Sequence, residues 1–157
     1  VTTAQWLLML HVASAFCLVG GSVAAGILNT LAIRSERPSD AALLLRLIRY
    51  ALPLIYAGVL GTLGFGIWLW HELGFSIGAG WIWASIVLWV VANALGGIGG
   101  RHQEHARELA EKLAAEGDTS NAELRALLHD PKGLALSYGA GAATLAVLVL
   151  MIWKPGS

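Results

Sequence analysis

The chain has 157 residues, of which 57% are hydrophobic and 13% charged, with a mean hydropathy of +0.67. A soluble domain carries about 25% charged residues, so half the usual surface-forming material is missing, and the deficit falls in four long apolar runs that mark an integral membrane protein. Ten basic and ten acidic residues cancel, which excludes the basic excess of a nucleic-acid binder. The single cysteine, Cys17, excludes an intrachain disulfide and reads as a small apolar space-filler. The opening VTTAQ has no positive n-region and the basic residues follow the first span, so this segment reads as an anchor rather than a cleaved signal peptide.

The first run, Trp6 to Ile33, holds 28 residues without a formally charged side chain, enough for a bilayer core of ~30 Å that needs ~20. Its strongly polar groups are His11, Ser14, Ser22 and Asn29. At 100° per residue from His11, Ser22 falls at about 20°, Asn29 at about 0° and Ser14 at about −60°. These four residues define one polar face, which the cost of polar groups in hydrocarbon directs into protein rather than lipid.

Between Arg34 and Arg49, Pro38 stops the first helix and Ser39 or Asp40 caps a second, which begins on the membrane surface. The second span covers about residues 50–70, with Pro53 early in it. Gly58, Thr62 and Gly66 stand at four-residue spacing, a pattern that lets helices approach closely in lipid. Trp68, Trp70, His71 and Glu72 mark a membrane–water boundary. A glycine-rich turn leads to the third span, about 81–97, which carries Trp81, Trp83 and Trp89 early, Asn93 late, and a Gly96/Gly100 small-residue pair. The polar segment of about 101–132 extends the third helix, breaks at GDTSN, restarts under a Ser120 or Asn121 cap and ends at Asp130-Pro131. The fourth span, about 134–153, offers Ser137 with Gly141 and Gly139 with Ala143 as close-packing faces.

These elements make a single domain over residues 1–157. The expected fold is an all-α membrane protein, a four-transmembrane-helix up-and-down bundle with an amphipathic cytoplasmic helical hairpin between spans 3 and 4. Nine basic residues lie in the links 34–49 and 101–132, and Lys154 alone lies on the other side. This asymmetry places both links in the cytoplasm and both termini outside.

The histidines are the main candidate ligands. His11 lies about five residues inside the outer boundary, roughly 8 Å deep, and His71 ends the second span on the same side. A haem b takes one or two axial imidazoles in an apolar slot, so His11 and His71 are the candidate cofactor residues, with His11 on the iron. A hydrogen-bonded packing role for His11 stands beside that reading, and an interfacial ring beside Glu72 stands beside it for His71. His102 and His105 are three apart on the extended third helix and could share a metal if His129 or Asp130 supplied a third ligand. Asn29 and Asn93 lie near the cytoplasmic boundary and suit an interhelical amide bond. No Asp, Glu, Lys or Arg falls inside a span, which counts against proton-coupled transport. No catalytic constellation is visible.

The segment LLMLHVASAFCLVGGSVAAG, the hairpin GIWLWHELGFSIGAGWIWASIVLW and the terminal VLMIWKPG resemble segments of a bacterial family of predicted integral membrane proteins of unknown function. The likeness spans nearly the whole chain and implies a bacterial inner-membrane, multi-pass protein. A looser likeness reaches four-helix membrane proteins with a first-span histidine, the copper-resistance D type and the haem-associated membrane protoporphyrinogen oxidases. Only His11 maps onto that histidine, and the chain lacks both an intramembrane lysine and the methionine and histidine density of copper handling. The resemblance therefore implies haem and little else. The leading expectation is a haem b protein serving electron transfer, alone or as a homo-oligomer, with quinone or within a respiratory or photosynthetic assembly. The alternatives are a cofactor-free structural or accessory subunit packing through glycine-rich faces, and a small transporter or metal-handling protein.

Overall fold

Thr2 opens the first helix, α1 (Thr3–Arg34), with a reciprocal cap: its hydroxyl accepts from the Gln5 N–H at 3.3 Å, and the Gln5 side chain accepts from the Thr2 N–H at 2.9 Å. The computed structural model describes residues 2–76 and 78–155, and among these it holds five helices and no strand. The second helix, α2 (Pro38–Leu73), starts on a proline whose missing N–H costs nothing there. It runs unbroken past Pro53 and stops at Gly74, whose φ of 64° suits glycine. The third, α3 (Gly80–Ala115), is a single rod of 36 residues, about 54 Å at 1.5 Å per residue, so the span and its polar extension are one element. The short α4 (Ala122–Leu128) is capped by Asn121, whose carbonyl oxygen accepts from Glu123 and Leu124. The last helix, α5 (Pro131–Trp153), is capped by Asp130, which accepts from the Gly133 N–H at 2.9 Å. Four helices are long and apolar enough to cross a membrane.

Neighbouring spans run antiparallel in chain order, α1 on α2, α2 on α3 and α3 on α5, while α1 and α5 meet only slightly. Glycine sets the first of these contacts. A methyl on Gly58 would overlap the Leu18 backbone, 2.7 Å from its Cα; one on Gly61 would run into Ser14; one on Gly21 would lie 2.7 Å from the Ile55 side chain. Each step of three or four along α1 is matched by a comparable step back along α2. The α3–α5 pair is looser. Gly99, buried against Ser137 and Leu136, and Gly139 against Leu95 are its closest glycine contacts, whereas Gly100 and Gly141 face open space. The small-residue pairs expected at Gly96/Gly100 and Ser137/Gly141 thus contribute only one member each to the contact.

The buried stripe of α1 runs Leu7, His11, Ser14, Leu18, Gly21 and onward to Leu28 and Ala32, a 3.5-residue repeat. A helix following that repeat drifts ~20° per heptad from the straight-helix wheel, about 30° over the eleven residues from His11 to Ser22. Ser22 consequently sits outside the stripe and is exposed, and Asn29 lies at its margin, half-buried. The polar face expected over His11, Ser14, Ser22 and Asn29 is divided: His11 and Ser14 enter the helix contact, Ser22 does not.

The apolar core gathers beyond the spans, at the end that carries the basic links. Ala32, Leu45, Ile48, Ala106, Ala110 and Leu124 are buried there, drawn from α1, α2, α3 and α4. This end obeys soluble-protein rules, because water is present to drive burial. Arg107, 9% exposed, lies among these residues. It donates to Glu104 at 2.7 and 3.0 Å and pairs with Glu111 at 2.6 Å. The Glu104 and Glu111 carboxylates raise the guanidinium's affinity for its proton further, and Arg107 holds the Glu104 carboxyl below the usual carboxylate range.

Asp118 links the two halves of the chain. Its φ of 55° turns the link after α3 back, and its carboxylate accepts from the Ser39 N–H and hydroxyl, both at 2.7 Å. It thereby caps α2, whose own N-cap Arg37 makes no side-chain cap bond. These two Ser39 bonds hold the Asp118 carboxyl below its ordinary value of 3.8.

Two outcomes follow from this geometry. Gly58→Ala, which must move the Leu18 backbone, is expected to cost about 1–3 kcal/mol in detergent unfolding, whereas Gly20→Ala and Gly64→Ala, which meet open space, should not destabilise. Because the Asp118 pKa is depressed on folding, its stabilisation is full above the ordinary value of 3.8 and is lost as pH falls through the lower, folded value. A melting series against pH should show Asp118→Asn less stable than the parent at neutral pH, with the two curves converging below that window.

Candidate functional site at the α1–α2 contact

His11 is placed by the same close approach. Gly66 lies opposite it on α2, and a methyl built there would sit 3.0 Å from the imidazole Cε1 and 3.1 Å from Nδ1. Nδ1 is buried without a hydrogen bond of good geometry, and the polar group beside it is the Thr62 backbone. One turn on, the Ser14 hydroxyl donates to its own helix, to the Leu10 carbonyl at 2.7 Å, and packs against Gly61. Thr62 joins a third helix: its hydroxyl donates to the Gly58 carbonyl at 2.7 Å and accepts from the Trp89 indole N–H at 3.3 Å. His11, Thr62 and Trp89 therefore form a short polar line across α1, α2 and α3. Sequence reading places Thr62 in small-residue packing and Trp89 in a tryptophan cluster; the signal for their contact is that they lie at similar distances from the turn joining α2 to α3.

His71 is not part of this line. It lies five residues beyond Gly66, about 7.5 Å further along α2 and about 140° around it, and its ring is exposed. An axial pair of His11 and His71 is not assembled. Gly66 faces the Cε1–Nδ1 edge of the His11 ring, and Nε2 is not within 4 Å of a methyl built there.

The remaining candidates are also dispersed. Asn93 donates its side-chain N–H to the Trp89 carbonyl at 2.8 Å, on its own helix, and the expected amide bond to Asn29 is not made. His102 Nε2 approaches the Asp130 carboxylate at 3.7 Å, while His105 Nδ1 lies 2.9 Å from the Arg101 carbonyl and His129 Nδ1 2.9 Å from that of Arg125. Asp130 is engaged as the cap of α5. Among the described residues no group of three His, Cys, Asp or Glu is placed to hold a metal.

The turn between α2 and α3 carries a cluster that sequence reading missed. Trp70 meets Trp83 edge-to-face at 6.0 Å, and its indole N–H donates to the Phe75 carbonyl at 2.9 Å. Phe75 meets Trp81 edge-to-face at 5.6 Å, and the Lys154 ammonium lies 5.5 and 5.8 Å from those two ring centroids. Of the terminal W-K-P expected as an interfacial stop, Lys154 thus lies on the turn in the middle of the chain, while Trp153 stays exposed.

An open groove lies elsewhere on the bundle. A groove of about 350 Å³ runs between α1 and α5, lined by Val23, Gly26, Ile27, Thr30, Leu31 and Tyr138. Val23 is twelve residues from His11, about 18 Å along α1.

If the ring of His11 is held by Gly66, the two positions should be coupled. Gly66→Ala is expected to destabilise by about 1–2 kcal/mol and to cost less in a His11→Ala background, in a double-mutant cycle read by unfolding in detergent.

A family model described as predicted integral membrane protein, DUF2269, matches residues 5–155. No curated protein and no solved structure matches the chain.

Proposed function

The chain belongs to the DUF2269 family of integral membrane proteins, and from that premise we propose that it is a cofactor-free structural or accessory subunit of the bacterial inner membrane. The observation that carries this reading is the seating of His11 on Gly66. The imidazole inside the spans packs its Cε1–Nδ1 edge against α2, and the Thr62 beside it is bonded in turn to Trp89 on α3, an arrangement that suits helix packing. Small residues at this contact supply the close approach that association in lipid requires. The exposed apolar faces of the four spans, with Phe16, Leu60 and Ile152 among their outward residues, suit lipid or a larger membrane complex. In this reading the nine basic residues of the two links lie in the cytoplasm and both termini lie outside.

A haem b held by His11, with electron transfer or quinone reduction as its consequence, is the competing reading. It would use Nε2, the ring nitrogen turned away from Gly66, with a second axial ligand other than the exposed His71 or none.

Purification from haem-replete cells in mild detergent separates the two. Oxidised and dithionite-reduced spectra with a pyridine haemochrome assay should show no stoichiometric b-type signal, and Gly58→Leu should lower the amount of folded protein more than His11→Ala does. A stoichiometric Soret band that His11→Ala removes would overturn the subunit reading.

A further inference from the structure

We propose that the groove between α1 and α5 is a binding site for an anionic phospholipid, with one acyl chain along the groove and the phosphate on Arg34. This goes beyond the subunit reading and does not depend on it.

The groove offers about 350 Å³ and is open along its length, so it suits an acyl chain lying along the helices rather than an enclosed ligand. It exists because α1 and α5, unlike the other neighbouring spans, stay apart over this stretch. Its walls are apolar. The Thr30 hydroxyl donates to the Gly26 carbonyl at 2.8 Å, so the Tyr138 phenol is the lining side chain that keeps a polar group for the ligand. Tyr138 is 72% exposed and Ile27 56%, so the walls are open to the bilayer rather than covered by protein.

Charge selects the occupant. Val23, Ile27, Thr30 and Arg34 recur at three- and four-residue steps, so Arg34 continues the groove's own face one turn toward the end of α1. Arg34 is exposed, and no ion pair joins it to an acidic side chain among the described residues. The groove opens at the end of the bundle where nine of the ten basic residues lie, a setting that favours an anionic headgroup. A second copy of the chain is the weaker occupant, since a stable protein interface buries upward of about 1,000 Å² with close complementarity and this face offers one open channel.

The test uses the full-length protein in nanodiscs of phosphatidylcholine mixed with phosphatidylglycerol, followed by native mass spectrometry of the released protein. The parent should retain one phosphatidylglycerol in preference to phosphatidylcholine. Arg34→Gln should lower that preference roughly fivefold, the effect of one basic side chain at a membrane surface, while still retaining lipid. Gly26→Leu places its side chain in the groove, and a Cβ there meets nothing within 4 Å, so the variant should fold and lose retained lipid of both kinds. Equal retention of the two lipids by the parent, an unchanged preference in Arg34→Gln, or parental retention by Gly26→Leu would each overturn the proposal. So would a dimer that Gly26→Leu dissociates, which would give the groove to a second copy.

Discussion

The contact between α1 and α2 is the constraint on which the bundle depends. Inside a bilayer, lipid tails are as apolar as leucine, so two helices gain nothing by exchanging lipid for each other unless their backbones come close enough for dense van der Waals packing. Gly58, Gly61 and Gly66 supply that closeness on α2, and Gly21 supplies it on α1. The consequences extend outward from there. His11 and Ser14 lie in this contact, Thr62 bonds Trp89 on α3, and α3 in turn packs on α5, which meets α1 only slightly.

Two physical regimes meet along the same helices. Through the spans the packing is small residue on backbone, with side-chain hydroxyls of Ser14, Thr30, Thr62, Ser85 and Thr144 turned back onto carbonyls of their own helices. At the end with the basic links the same helices exchange that mode for leucine and alanine burial around Arg107, whose charge is matched by Glu104 and Glu111 on successive turns. Removing either carboxylate would leave a buried guanidinium half-satisfied, which is costly in a way that removing a surface pair is not.

Much of the architecture was legible because it is written in hydropathy and turn chemistry. The four spans, the continuation of α3 into its polar extension and the asparagine cap of α4 all follow from local signals. The glycines facing α1 were legible as a class, since Gly58 and Gly66 carry the small-residue spacing. What the sequence did not disclose is which member of a neighbouring pair points inward. Gly99 rather than Gly100 meets α5, and Ser22 leaves the polar face, because the wheel of a straight helix ignores the supercoil that a 3.5-residue repeat imposes. Contacts between distant residues were beyond reach for a simpler reason. Nothing local to Ser39 announces Asp118, and nothing local to Phe75 announces Lys154. The mutual placement of the histidines was beyond reach for the same cause: depth along a span can be counted, but azimuth between helices is decided by packing.

The bond from Asp118 to Ser39 also bears on the order in which the chain is made. The first turn of α2 leaves the ribosome 79 residues before the carboxylate that caps it, and by then α3 has been synthesised through its full length. The first hairpin is therefore complete while the start of α2 is still without this cap. Only when the link after α3 folds back is that start closed, so the latch forms only once the first hairpin and the end of α3 lie side by side.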